Sequence, residues 1–206
     1  MDEGDVKTAP KTASSQASAP ALPPPMPGWQ RAPYRLGQFL RGLTATVGDE
    51  DRQFLSRWLS SDALVFFDRL PVDAQRHSLN VAQTLLNAGF SQLDLTAAAL
   101  LHDVGKAAAD DAGVRLQLWL RGPIVLAEWL TPDLLVSQAA EDPTQGWRYA
   151  LHVQLDHPAI GAAWAREAGC SDLTCWLIEH HQDKTLPPPG ERRTLLAALQ
   201  WADERN

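Results

Sequence analysis

From about residue 34 onward, apolar residues recur three and four positions apart, and no sustained run alternates with a period of two. A helix can bury such a stripe on one face and a strand cannot, so the pattern predicts an all-α domain. Proline and glycine punctuate it. "DEDRQFLSRWLSSDALVFFDRL" gives one or two helices before Pro71, and "VDAQRHSLNVAQTLLNA" gives the next, closed by Gly89. Ser91 with Asp94 three later has the spacing of a capping box, opening a helix that runs into "LLHDVGK", residues 100–106. Beyond a polar loop at "EDPTQG" the pattern predicts helices at about 147–155, 158–168 and 172–181, with a last one from 193 to about 204. Pro158 then stands in the first turn of its helix and Gly169 just past its end, which puts His157 at a helix N-terminus, where the partial positive charge favours a neutral imidazole.

Two stretches have a different character. Residues 1–28 are dominated by Ala, Pro, Ser and Thr and end in "APALPPPMPG". They cannot bury enough apolar surface to offset the entropy of ordering, so a disordered tail is expected, its sharper reading being a proline-rich ligand for another protein. The folded domain is expected over 29–206. The second stretch, "VRLQLWLRGPIVLAEWLTPDLLVSQAA", is amphipathic and broken at Gly122-Pro123. Its charges at Arg115, Arg121 and Glu128 argue against a transmembrane span, so buried packing or a homodimer face over 114–136 is expected.

Composition removes further classes. Lys plus Arg number 18 against 25 Asp plus Glu, a net charge of −7, so no broad basic field invites a nucleic-acid backbone. The opening "MDEGDVKTAPKTASSQ" has no apolar core of a secretory signal, and a cytoplasmic location is the expectation. Cys170 and Cys175 do not have the spacing of a CxxC pair and are expected to be reduced, partly buried thiols.

The chemistry lies in histidine and aspartate. Leu95, Ala98, Ala99 and His102 fall at i, i+3, i+4 and i+7, so His102 belongs to the inward stripe of its helix, and Asp103 follows Ala99 by four on the adjacent edge. A carboxylate there costs several kcal/mol unless it is paired or holds a cation. Elsewhere His77 leads Val81 by four; Leu173, Leu177, His180 and His181 end another inward stripe; and Leu196, Leu199 and Asp203 place a second carboxylate at a core position. Lys106 follows His102 by four and Asp103 by three, on the same face if the helix persists that far, and salt-bridging Asp103 is its plainest use. Gly105 is read either as a helix terminator or as a place where a ligand approaches the backbone. His152 has no such context and is expected to be structural or at the surface. One inward histidine is ordinary, but several helices each directing His or Asp inward point to a shared ion.

The ordered set His77, His102-Asp103, His157, His180-His181 and Asp203 resembles the HD superfamily of metal-dependent phosphohydrolases. "RHSLNVAQTLL" is similar to the helix carrying the first histidine, "LLHDVGK" to the HDIGK signature, "HPAIG" to the HPxxG element, "IEHH" to the double histidine and "QWADE" to the helix bearing the last aspartate, over roughly residues 70–206. The HD-GYP subclass continues past its histidine pair into a Gly-Tyr-Pro segment that "HHQDKTLPPPGER" lacks, so cyclic di-GMP specificity does not carry over. The set looks closer to the branch with cyclic di-AMP phosphodiesterases and diadenosine tetraphosphate hydrolases.

The resemblance implies a helical bundle with a metal site between helices. His77, His102, Asp103 and Asp203 would surround one ion, and Asp103 would bridge to a second held by His157, His180 and His181. The implied activity is hydrolysis of a nucleotide phosphoester by a metal-activated water, with Asp103 and Lys106 catalytic and Lys106 neutralising charge on the phosphoryl oxygens. Imidazole and carboxylate ligands without thiolate suit two ions of Fe, Mn, Co, Ni or Zn. The alternatives are a mononuclear nucleotidase acting on nucleoside mono- or triphosphates and a non-catalytic nucleotide-binding signalling module.

Overall fold

The computed structural model describes Pro20 and residues 46–114 and 136–206, and among these residues every regular element is helical. In chain order they are α1 (Asp49–Trp58), α2 (Ser61–Phe67), α3 (Val72–Asn87), α4 (Leu93–Leu101), a 3-10 turn (Val104–Lys106), α5 (Ala107–Asp111), a second 3-10 turn (Pro143–Gln145), α6 (Trp147–Glu167), α7 (Asp172–His180) and α8 (Glu191–Asp203). The tail reading falls outside the described residues except at Pro20. The amphipathic segment read as a core or dimer face also lies outside them over 115–135. No helix among the described residues is long and apolar enough to cross a membrane.

The bundle is built around α4. Every residue from Leu95 to Leu101 is buried, so beyond its first two residues this helix has no solvent face. Helices α3, α7, α8, α1 and α2 pack on it, while α6 packs on α7 and on the turn that follows α4. The shared core includes Leu55, Phe67, Leu85, Leu100, Ile178, Leu196 and Leu199. His102 therefore leaves the centre of the bundle at the end of its most buried helix.

Three local expectations are corrected. The start of α4 is not a Ser91 capping box, because Gln92 is the N-cap residue and the helix begins at Leu93. Asp94 instead reaches another helix end: its Oδ1 accepts from the hydroxyls of Ser171 and Thr174, and Ser171 itself caps α7 through Thr174 N at 3.0 Å. The helices expected at 147–155 and 158–168 are one continuous α6 with Pro158 inside it, so His157 lies mid-helix and not at an N-terminus. The helix carrying "LLHD" ends at Leu101, and Lys106 reaches Asp103 from the 3-10 turn rather than along an α-helical face.

Gly105 has a different role from both that were expected. A Cβ built on it would lie 2.1 Å from the carbonyl oxygen of His157 and 2.7 Å from the amide nitrogen of Gly161. Only a missing side chain lets the backbone of α6 cross the turn at that distance. Gly161, in "HPAIG", is the matching small residue, since its own added Cβ would meet Gly105 N at 3.3 Å. This close crossing brings His157 up to Asp103.

Candidate metal centre

Asp103 lies at the middle of the cluster. Its Oδ1 is 3.4 Å from His157 Nε2, 3.7 Å from His102 Nε2 and 3.8 Å from His181 Nε2. Its Oδ2 accepts a 2.7 Å hydrogen bond from Lys106 Nζ. The lysine thus takes one carboxylate oxygen and leaves the other facing three imidazoles. Next to this group, Asp203 Oδ1 is 3.0 Å from His77 Nε2 and 3.5 Å from His102 Nε2. The potential ligand atoms fall into two sets, Asp103 with His157 and His181, and His77 with His102 and Asp203.

The chain presents the same imidazole atom each time by one device. Nδ1 of His102, His157 and His181 donates to the carbonyl three residues earlier, Ala99, Gln154 and Ile178, at 2.9, 2.8 and 2.7 Å. Inside a helix such carbonyls are already engaged, but these three are not ordinary. Ala99 stands in the last turn of α4, where carbonyls run out of intrahelical donors, and Ile178 stands in the last turn of α7, where its carbonyl accepts a long 3.5 Å bond from the His181 amide. Gln154 is four residues before Pro158, which has no N–H to give it. Each histidine is therefore locked with Nδ1 outward and Nε2 toward the centre, the arrangement in which a ligating imidazole is held by its other nitrogen.

The Nε2 atoms of all three are buried and make no hydrogen bond. A buried polar atom without a partner costs roughly 1–3 kcal/mol, and three around one carboxylate is a cost that a cation would remove. The spacings fit. Ligands held about 2.0–2.2 Å from an ion at angles between octahedral and tetrahedral lie about 2.8–3.6 Å apart, close to the range observed here. Nitrogen and carboxylate donors without thiolate are the chemistry of a borderline divalent ion.

Charge in the protein itself reflects the same crowding. Burial works against a charged His102, yet the carboxylates of Asp103 and Asp203 outweigh it and raise its pKa to about 9. Burial, with the charge on His102, pushes His181 down to about 3. Burial also opposes ionisation of Asp103, but Lys106, His102 and His157 hold it well below the usual carboxylate range. Asp203 is held low against the same burial by His102 and His77.

Of the residues read from sequence, His77, His102, Asp103, His157, His181 and Asp203 converge, with Lys106 against Asp103. His180 does not join them. It stands one position, about 100° of helix, from His181, with its side chain 31% exposed, its Nδ1 3.1 Å from Asp183 Oδ2 and its ring against Trp176. His152 stays outside the cluster, half-buried and paired with the exposed Asp156 at 2.9 Å. Cys170 and Cys175 are free thiols, and burial followed by mutual proximity raises the pKa of Cys170. Asn206 was not singled out by any pattern. Its Nδ2 donates to Thr84 Oγ1 and to Ala202 O, both at 2.8 Å, fastening the end of α8 to α3 and holding Asp203 opposite His77.

A family model described as HD domain matches residues 75–204. Neither curated proteins nor solved structures give a match.

Proposed function

The chain belongs to the HD-domain family of metal-dependent phosphohydrolases, and from that premise we propose that it hydrolyses a phosphoester in a nucleotide of the cyclic dinucleotide or dinucleoside polyphosphate class. The observation that carries a metal-assisted reaction is the set of three buried Nε2 atoms, on His102, His157 and His181, that face Asp103 without a hydrogen-bond partner. The nucleotide class rests on the ordered motif resemblance and on the missing Gly-Tyr-Pro segment.

In this reading His77, His102, Asp103, His157, His181 and Asp203 hold a pair of divalent transition-metal ions, with Asp103 shared between them. Such ions supply Lewis-acid charge to phosphoryl oxygens and acidify water for attack. The protein's own groups do the rest. Lys106 keeps Asp103 ionised and turned so that Oδ1 faces the imidazoles, and the Nδ1 bonds of the three histidines fix their rings before substrate arrives. The Lys106 ammonium has three N–H bonds, of which the Asp103 contact uses one. Its side chain is 37% exposed, and the remaining donors are available to a phosphoryl oxygen on the open side. His77 and Asp203, at 25% and 33% exposure, share that rim, whereas His102, His157 and His181 form the closed floor. His180, ranked with the ligands by sequence, is left out of this set and treated as an outer residue paired with Asp183.

The test is a hydrolysis panel of cyclic dinucleotides, dinucleoside polyphosphates, dNTPs and nucleoside monophosphates with saturating Mn²⁺, run beside Asp103→Asn. The reading expects turnover of a member of the first two classes that the variant lacks. Binding of those nucleotides without turnover by any divalent ion would contradict it and favour a signalling module.

A further inference from the structure

Cysteine occurs twice in this chain, and the fold puts both residues at the start of α7. Ser171 is the N-cap of that helix, so Cys170 is the residue before the cap and Cys175 is the fourth residue of the helix. Side chains at these two positions commonly pack on each other across the first turn, as an apolar pair that fixes how the chain enters the helix. Here the pair is two thiols. Cys175 belongs to the buried core and Cys170 packs against that core from its half-buried position. Cys175 Sγ lies 3.8 Å from the carbonyl oxygen of Cys170. The backbone around them is held, since Cys170 N donates to Ala165 O at 2.9 Å and Cys175 N to Ser171 O at 3.0 Å. Between the thiols, the hydroxyls of Ser171 and Thr174 both donate to Asp94 Oδ1, so the two cysteines bracket the point where α7 is fastened to α4.

We propose that Cys170 and Cys175 form a disulfide site, a modification separate from the His and Asp centre, in which a small disulfide oxidant of the oxidised glutathione type converts this non-covalent staple into a covalent one. Cys170, the sulfur nearer solvent, loses its proton and attacks the oxidant, forming a mixed disulfide and releasing one thiol. Cys175 then loses its proton and attacks the Cys170 sulfur, closing the intrachain bond and expelling the second thiol. Two hydrogens and two electrons pass from the cysteines to the oxidant, which leaves as two reduced thiols. Burial pushes both thiols above their ordinary range, so the exchange is slow at neutral pH. The half-buried Cys170 is the side chain with room to turn, and the ordered backbone on either side already carries most of the entropy cost of closing the ring. The bond restricts the unfolded chain far more than the folded one, so it favours the fold. Its equilibrium constant against glutathione should be at least about tenfold larger in the folded chain than in urea, and the melting temperature should rise by about 5 °C.

The experiment equilibrates the full chain with reduced and oxidised glutathione at pH 8.5, in buffer and in urea, quenches by alkylation and maps the products by mass spectrometry. Trypsin releases both cysteines on one peptide, residues 167–184. In the folded chain that peptide should be lighter by two hydrogens and carry no alkyl group. Cys175→Ser should stop at the mixed disulfide on Cys170. The site is overturned if the unaltered chain accumulates the mixed disulfide, a disulfide-linked dimer or two alkylated thiols. It is equally overturned if the intrachain bond forms no more favourably in buffer than in urea. Should Cys175→Ser fail to fold, the comparison of the unaltered chain in buffer and in urea decides.

Discussion

His157 and His152 lie five residues apart on α6, yet they face different chemistry. His152 turns its Nδ1 to Asp156, one helical turn away at the surface, and His180 on α7 does the same with Asp183. His157 turns its Nδ1 to a main-chain carbonyl and its Nε2 inward, as His102 and His181 do. A surface carboxylate satisfies a histidine and ends its role, whereas a backbone carbonyl satisfies only one nitrogen and leaves the other for an ion. The difference comes from whether a helix offers a free or only weakly bonded carbonyl three residues back. The end of α4 supplies it for His102 and Pro158 supplies it for His157, while at the end of α7 the Ile178 carbonyl takes only a long 3.5 Å bond from the His181 amide beside the ring.

The largest way to break this comparison is to move α6 off its crossing. Gly105→Ala places a Cβ against the His157 carbonyl, backbone against backbone with no flexible side chain to yield. It should destabilise the fold by about 3 kcal/mol or more, read by urea unfolding. A variant within 1 kcal/mol of the parent would mean that the close crossing is not required.

A smaller change isolates the carbonyl. Pro158→Ala restores an N–H that can claim the Gln154 oxygen and so competes with His157 Nδ1. Metal affinity should fall by about 10-fold or more, the usual scale for removing a bond that orients a ligand. Stability should hold or rise, because an interior proline is removed from a helix. Unchanged affinity in a metal titration would remove the proline from the account.

Protons probe the same floor. Metal-free, His102 keeps its proton up to about pH 9, against 6.5 when unperturbed. The native state then binds more protons than the unfolded chain between those values, so this contribution is complete below pH 6.5 and lost as pH rises to about 9. His181 acts oppositely. Neutral in the fold down to about pH 3, it withdraws stability as pH falls below 6.5, where the unfolded chain takes up a proton. The melting temperature of the metal-free protein should therefore peak near pH 6.5, and saturating metal, which displaces the His102 proton, should flatten the alkaline fall. A metal-free protein that gains stability from pH 6.5 to 9 would reverse the assignment. The smallest effect belongs to the half-buried His152 and its exposed partner Asp156: His152→Ala should change stability by no more than about 1 kcal/mol and leave metal binding as it was.

Much of this was legible in the residues. The period of the apolar pattern predicted the all-α bundle, and the inward stripes singled out His102, Asp103, His181 and Asp203, which the fold brings together. The sequence misled where one signal has two uses. Pro158 reads as a helix start because that is where proline is best tolerated, yet α6 runs through it and uses the carbonyl that it frees. Gly105 reads as a terminator because its contact, the His157 carbonyl, is more than fifty residues away. His180 and His181 are alike as letters, and only the rotation between them decides that one faces Asp103 and the other Asp183. Asn206 carried no signal, since a hydrogen bond to Thr84 across the bundle leaves no periodicity.

The claim on which the rest depends is that the inward Nε2 atoms are ligands. The direct measurement is metal content per chain by mass spectrometry, after reconstitution with Mn²⁺, Fe²⁺ or Zn²⁺ near pH 8 and dialysis against metal-free buffer. The account predicts at least one ion retained per chain and a second bound at saturation. Fewer than one ion per folded chain with every metal would contradict it.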